Sequence, residues 1–147
     1  MEAGRVPTER MLGALLRIPS LAITSRIARD LSAAGYTDLR PAHFTVFQHL
    51  PPEGARPTEL AQHAQMTKQS MGALVDHLVK QGYLDRVPDP TDARATIVRR
   101  TEKGWAVERI ARESIRTLEG EWSGRLGEER LRLFREFLRD LASLLDQ

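Results

Sequence analysis

The sequence predicts a mainly α-helical fold with a small β-wing: a winged helix-turn-helix held between helical segments that dimerise. Three observations carry this. From Pro57 to Gly104 the chain reads as a short helix, a tight turn, a longer helix and a hairpin with a charged tip. In the longer helix Met71, Leu74, Val75, Leu78 and Val79 fall at i, i+3, i+4, i+7 and i+8, a single apolar face. Near the end Leu131, Phe134, Leu138, Leu141 and Leu145 alternate spacings of three and four, a heptad-like seam that asks for a second helix.

The elements follow in order. Residues 11–34 read as one long helix, with Leu12, Leu16, Ile23, Ile27 and Leu31 near helical spacing. Pro19 is expected to kink or interrupt it, and Gly35 to stop it. A helix restarts over residues 38–50 with Pro41 in its first turn, where a missing N–H costs nothing. Thr58 is the expected N-cap of a short helix over residues 59–65. Thr67 caps the next, which ends at Gly82. Residues 84–87 and 95–100 are β-prone, and residues 88–94 between them carry turn chemistry. Thr101 caps a further helix with Val107, Ala111, Ile115, Leu118 and Trp122 in one row. Ser123, Gly124 and Gly127 mark a break. In the last helix Leu133, Phe137 and Leu144 add a second apolar row, wide enough to predict packing against a second copy of the chain.

Composition narrows the function classes. At 147 residues the chain is the size of one domain with a real core. With 5% aromatic residues, that core must be mostly Leu, Ile, Val and Ala. The absence of cysteine excludes disulfides, thiolate metal sites and thiol redox sensing. His43, His49, His63 and His77 make no ligand pair on one helix face, so no metal site and no cofactor are expected. No signal-peptide core and no membrane-length apolar run appears, which points to a cytoplasmic protein. No nucleophile–base pairing or phosphate-cradling loop appears either, so an enzyme ranks last. The net charge of +2 is too near neutral to imply nucleic-acid binding by itself, so geometry must decide.

With Met71, Leu74, Val75 and Leu78 inward, Gln69, Ala73, Asp76 and Lys80 point outward. A helix entering the major groove needs such a face of short or polar side chains. Gln69 suits adenine and Ala73 a thymine methyl. Thr67, Lys68 and Ser70, at the positive end of the helix dipole, suit phosphate oxygens. Asp76 has three readings: accepting from cytosine, pairing with a nearby basic group, or lying outside the groove. Arg86, Arg99 and Arg100 on the hairpin are candidate backbone contacts. Taken alone, Asp92 and Arg94 read as a solvated ion pair in a turn.

The segments TELAQHAQMTKQSMGALVDHLVKQGYLDR, PDPTDAR and TEKG, in that order, resemble the multiple antibiotic resistance regulator (MarR) family of bacterial transcription factors. The resemblance extends to the layout of nearly the whole chain. It implies a single MarR-like domain, with residues 8–36 and 105–147 forming a helical dimerisation region and residues 38–104 the DNA-binding winged helix. It implies a homodimer on double-stranded DNA, most often a repressor on a pseudo-palindromic operator. The helix of Thr67, Lys68, Gln69, Ser70 and Ala73 then docks in the major groove, and Arg94, braced by Asp92, reaches the minor groove. A narrow minor groove concentrates negative potential, which suits an inserted Arg. Many such relatives bind phenolic or lipophilic acids where the dimer helices meet the winged domain. Leu16, Ile18, Phe44, Phe47 and Trp105 are the candidate lining here, with ordinary core packing as their alternative role. Arg100 departs from the family, which usually has an apolar residue before this Thr-x-x-Gly motif. It either disturbs the packing of the second wing strand or adds a phosphate contact. The competing function is a winged-helix protein-interaction module without DNA binding.

Overall fold

A computed structural model of the chain describes residues 10–146. Residues 8, 9 and 147, which the sequence reading places in the dimerisation region, lie outside them. The order is α1 (Leu12–Ala33), α2 (Pro41–His49), α3 (Pro57–His63), α4 (Lys68–Lys80), β1 (Leu84–Asp89), β2 (Asp92–Arg100), α5 (Glu102–Leu126) and α6 (Glu128–Leu145). The expected fold class is what forms: helices around one two-stranded antiparallel wing.

Helix starts follow local chemistry. The Thr67 hydroxyl accepts the Ser70 N–H at 3.0 Å, and the Thr101 hydroxyl accepts the Gly104 N–H at 3.2 Å. Both satisfy a first-turn donor that the helix itself leaves unpaired. Pro41 is itself the first residue of α2, so this helix starts three residues later than the predicted residue 38. α3, however, begins two residues earlier than predicted. Its N-cap is Arg56, not Thr58, because Pro57 is preset for the first helical position. The Glu59 carboxylate returns to accept the Arg56 N–H at 3.3 Å.

Two further features differ from the sequence reading. α1 runs unbroken through Pro19. The proline removes the N–H that would bond the Leu15 carbonyl, but Leu15 is exposed and water can replace that bond. The break after α5 falls only at Gly127, in the left-handed region at φ 93°; Ser123 and Gly124 stay helical.

The core lies where α1, α2, α4 and α5 converge on the base of the wing. Leu31, Val46, Leu60, Met71, Val75, Leu78, Leu84, Val98 and Val107 are all buried. It is aliphatic, as composition requires, except for one fully buried ring, Tyr83. Its hydroxyl donates to Asp38, and Lys103 sits 4.2 Å from the ring centroid. Behind it, buried His43 of α2 stacks on His77 of α4 with centroids 4.3 Å apart. His43 Nδ1 accepts the Arg40 N–H at 2.9 Å, so this ring is neutral, and His77 Nε2 donates to the Asp38 carbonyl at 3.0 Å.

Burial, then repulsion from His77 and Arg40, hold the His43 pKa below its ordinary value; Asp38 opposes them weakly. The unfolded chain therefore binds more protons here than the native one. The stability this site contributes is present above the unfolded pKa of about 6.5 and is lost as pH falls below it. Thermal melts at pH 7.5 and 5.5 are expected to show a lower midpoint at pH 5.5, and His43→Gln a smaller difference. An equal pH dependence in both proteins would remove His43 as the cause.

Candidate nucleic-acid interface

The α4 face opposite its core stripe is free. Lys68, Gln69, Ser70, Ala73, Asp76 and Lys80 are all exposed, while Met71, Val75 and Leu78 are fully buried. Thr67 and Ser70 form a small polar ridge at the helix start, the Thr67 hydroxyl donating to Ser70 Oγ at 2.9 Å. A Cβ placed on Gly72 would meet no atom within 4 Å, so the surface beside Ala73 is open. The turn before α4 holds Gln65 in the left-handed region at φ 53°, which folds α4 back across α3. The five residues assigned to the major groove thus share one end of one exposed face.

The wing is longer and its turn tighter than the sequence suggested. The strands pair from Leu84↔Arg100 through Asp89↔Asp92, leaving only Pro90 and Thr91 between them. The Asp92-Ala93-Arg94 segment therefore lies within β2, but the register breaks there: Pro88 faces Thr96 and Asp89 faces Asp92, so residues 93–95 bulge out without partners in β1. Asp89 makes the short turn possible. Its Oδ1 accepts the Thr91 N–H at 2.9 Å and the Thr91 hydroxyl at 2.8 Å. Its Oδ2 accepts Arg56 Nε at 2.7 Å. These donors, the Thr91 backbone first, hold its carboxyl down to about 2.

Asp92 braces Arg94, but through the backbone. Its Oδ1 accepts the Arg94 N–H at 3.0 Å. The exposed Arg94 side chain has no hydrogen-bond or ion-pair partner among the described residues. Arg56 also stands 3.9 Å from Asp92 Oδ2. Arg56 thus ties the start of α3 to the wing turn, and sequence reasoning missed it. Its only sequence signal is local, the position before Pro57; its partners lie more than thirty residues away.

The three arginines assigned to the DNA backbone differ. Arg86 pairs with Asp76, the second of the three readings of that aspartate, in the chain without DNA. Arg99 donates to Asp85 across the hairpin at 3.2 Å. Both pairs are solvent-exposed, so they hold their arginines weakly. Arg100 is a correction. Its side chain is only 3% exposed and cannot reach a phosphate. It donates to the carbonyls of Phe47 and Leu50 at 2.9 Å and of Pro51 at 3.3 Å, closing the C-terminal end of α2. It also pairs with Glu108 and lies over the Trp105 ring at 4.8 Å. The second wing strand is therefore packed by a charge held in a polar and aromatic socket, where an apolar residue was expected.

Between α1, α2 and α5 lies a cavity of about 490 Å³. Ile23, Ile27, Phe44, Phe47 and Ile115 supply apolar walls; Gln48 and the Glu108–Arg112 pair, 2.6 Å apart, supply polar ones. Of the five predicted lining residues, Phe44 and Phe47 are in place. Leu16 and Ile18 lie on the exposed early turns of α1, away from it, and Trp105 is engaged beneath Arg100. Helical spacing put Leu16 and Ile18 on the right element but could not say how far along α1 the cavity opens. Every predicted dimerisation residue is left uncovered or only partly covered, since α6 buries none of its own side chains.

Comparison with known proteins agrees with this geometry. Residues 37–95 match the model of the MarR family. A transcriptional regulator from Thermotoga maritima is 27% identical, with 91% of this chain and 93% of that one covered at a TM-score of 0.62. The crystal structure of MarR superposes at 0.77 over 97% of this chain and 95% of its own, at 22% identity. The transcriptional repressor CouR on a 23-mer DNA duplex is 26% identical, with 93% of each chain covered and a TM-score of 0.65. CouR from Rhodococcus jostii RHA1 bound to p-coumaroyl-CoA is 22% identical over 89% of this chain and 91% of its own, at 0.68. No curated protein matches the chain. The family match spans α2, α3, α4 and the wing turn, and the fold likeness covers the helices on either side: over its winged-helix region the chain is similar to the MarR family of transcriptional regulators.

Proposed function

We propose that the chain is a homodimeric repressor of transcription that binds a pseudo-palindromic operator and is released by a small amphipathic ligand. The observation that carries it is the pairing of two free surfaces. One is the polar start of α4; the other is Arg94, exposed at the wing turn and without a partner among the described residues. In this reading residues 38–104 bind DNA and residues 8–36 and 105–147 dimerise. Thr67, Lys68, Gln69, Ser70 and Ala73 enter the major groove, Arg94 enters the minor groove, and Arg86 and Arg99 exchange their carboxylates for phosphates. The uncovered α6 seam supports the dimer, and CouR, a repressor solved on DNA, supports the mode of action. The apolar cavity with Arg112 at its edge suits an aromatic or lipophilic acid, and CouR holds p-coumaroyl-CoA. No helix among the described residues is long and apolar enough to cross a membrane, which fits a cytoplasmic DNA-binding protein.

Selection of genomic fragments on the purified protein, followed by gel shift, tests this reading. Retention of no fragment at low salt would sink it and leave the protein-interaction module. On a recovered operator, protected half-sites are expected about one helical turn (~10 bp) apart. Gln69→Ala is expected to change base preference at one symmetric position by about 1–3 kcal/mol; an unchanged preference would refute its role. Arg94→Ala is expected to weaken operator binding at least ~10-fold, about 1.4 kcal/mol, and to flatten its salt dependence. Wild-type affinity and slope would show that the wing tip is idle.

A further inference from the structure

Arg100 joins two regions that the proposed function needs to connect. It is the last residue of β2, the strand whose other end carries Asp92 and Arg94. Its guanidinium is also held by the walls of the α1–α2–α5 cavity. Phe47 lines that cavity, gives its carbonyl to Arg100, and lies under the guanidinium at 5.9 Å. Glu108 lines it as well and pairs with both Arg100 and Arg112. A buried guanidinium keeps its place only while its counter-charge and acceptors stay put. Displacing either wall therefore unseats Arg100 and, with it, the base of β2.

We propose that Arg100 is the positioning residue through which occupancy of the cavity reaches the wing. A ligand with an apolar body and an anionic end, seated against Phe47 and Arg112, shifts Phe47 or draws Arg112 off Glu108. Either change alters the hold on Arg100. β2 pairs with β1 from Arg100 to Thr96, so the shift is carried along a paired strand as far as the bulge at residues 93–95 that holds Arg94, beyond which Asp92 pairs again with Asp89. The strand is gripped once more on the way, where Val98 exchanges two backbone hydrogen bonds with Ala55 at 2.9 and 3.1 Å. That places a fulcrum between the buried end and the DNA-facing end. This proposal rests on the repressor reading above and supplies its route of release.

The cavity can be filled without knowing the ligand. Ala111 lines it from α5 and Thr24 from α1. Ala111→Phe is the probe, with Thr24→Leu as a milder second in case the larger ring prevents folding. Each is made in the wild-type background and with Arg100→Leu. The Arg100→Leu background keeps Glu108 paired with Arg112 and so leaves no lone buried carboxylate. Filling the cavity is expected to weaken binding to a selected operator fragment about tenfold in the wild-type background, within the usual range of coupling between sites. In the Arg100→Leu background the same filling is expected to change it less than about twofold, a non-additivity that ordinary destabilisation does not produce. Equal losses in both backgrounds, or none in either, would overturn the proposal. Hydrogen exchange of the β2 amides reads the same coupling with no DNA present. Filling is expected to speed exchange there only when Arg100 is in place. A protein that selects no DNA thus fails the repressor reading, and the exchange pattern still decides for or against Arg100.

Discussion

Leu138→Glu is expected to turn the proposed dimer into a monomer at micromolar concentration and to abolish tight operator binding. Leu138 sits mid-seam on α6, with Phe134 and Leu141 one turn to either side, and all three are 37–41% exposed in the single chain. No side chain of α6 is buried, and at the far end of the chain Leu12, Leu15, Leu16 and Leu21 of α1 are uncovered too. So much uncovered apolar surface is what the proposed dimer would cover, and the heptad-like spacing suits a helix as the partner. In a two-fold dimer one substitution acts twice. Each copy loses a leucine contact of about 2 kcal/mol and brings a carboxylate toward an apolar seam. Together that is about 4 kcal/mol or more per dimer, a factor of roughly 1,000 in the dissociation constant. Sedimentation at several concentrations reads it directly. A wild-type chain that sediments as a monomer, or a Leu138→Glu chain that stays dimeric, would remove α6 as the interface. Operator binding is expected to fall in step, since one recognition helix reaches only one half-site.

The elements legible in the sequence were those fixed by neighbours along the chain. Thr67 and Thr101 cap helices whose first turns they also satisfy, and Gly82, at φ 83°, stops α4 as a glycine should. The 3.6 period of Met71, Val75 and Leu78 was enough to turn Gln69 and Ala73 outward. What stayed hidden depends on groups far apart in sequence. The hairpin turn was read as seven residues because Pro88 through Arg94 all favour turns; Asp89, clamped by Arg56, shortens it to two. Arg100 looked like a phosphate ligand because it is a cation on a wing. Its true partners, the α2 carbonyls and Glu108, are gathered only by the fold. Asp76 is ambiguous in sequence for the same reason: Arg86, its ion-pair partner, comes from the wing.

Gly104→Ala is expected to destabilise the chain by about 3 kcal/mol, although alanine is the better helix former by up to ~1 kcal/mol. A Cβ at this position would stand 2.2 Å from the Tyr83 carbonyl oxygen and 3.3 Å from Arg100 Cβ. Neither neighbour can retreat. Tyr83 is fully buried, and its carbonyl accepts the Thr101 N–H at 3.1 Å. Thr101 in turn donates its hydroxyl to the Gly82 carbonyl at 2.6 Å and caps Gly104 itself. Lys103 closes the same junction by donating to the Gln81 carbonyl at 2.7 Å. The end of α4 and the start of α5 are therefore strapped together at backbone distance, which explains the glycine of the Thr-x-x-Gly motif. Any relief of the clash must lift α5 off Tyr83, breaking those bonds and disturbing the Arg100 socket. Gly120→Ala, in the same helix with nothing within 4 Å of its added Cβ, is the control. It is expected to raise stability by up to ~1 kcal/mol. Urea unfolding of the two variants beside wild type checks both signs at once, and midpoints that shift together would show that the contact with Tyr83 does not decide this position.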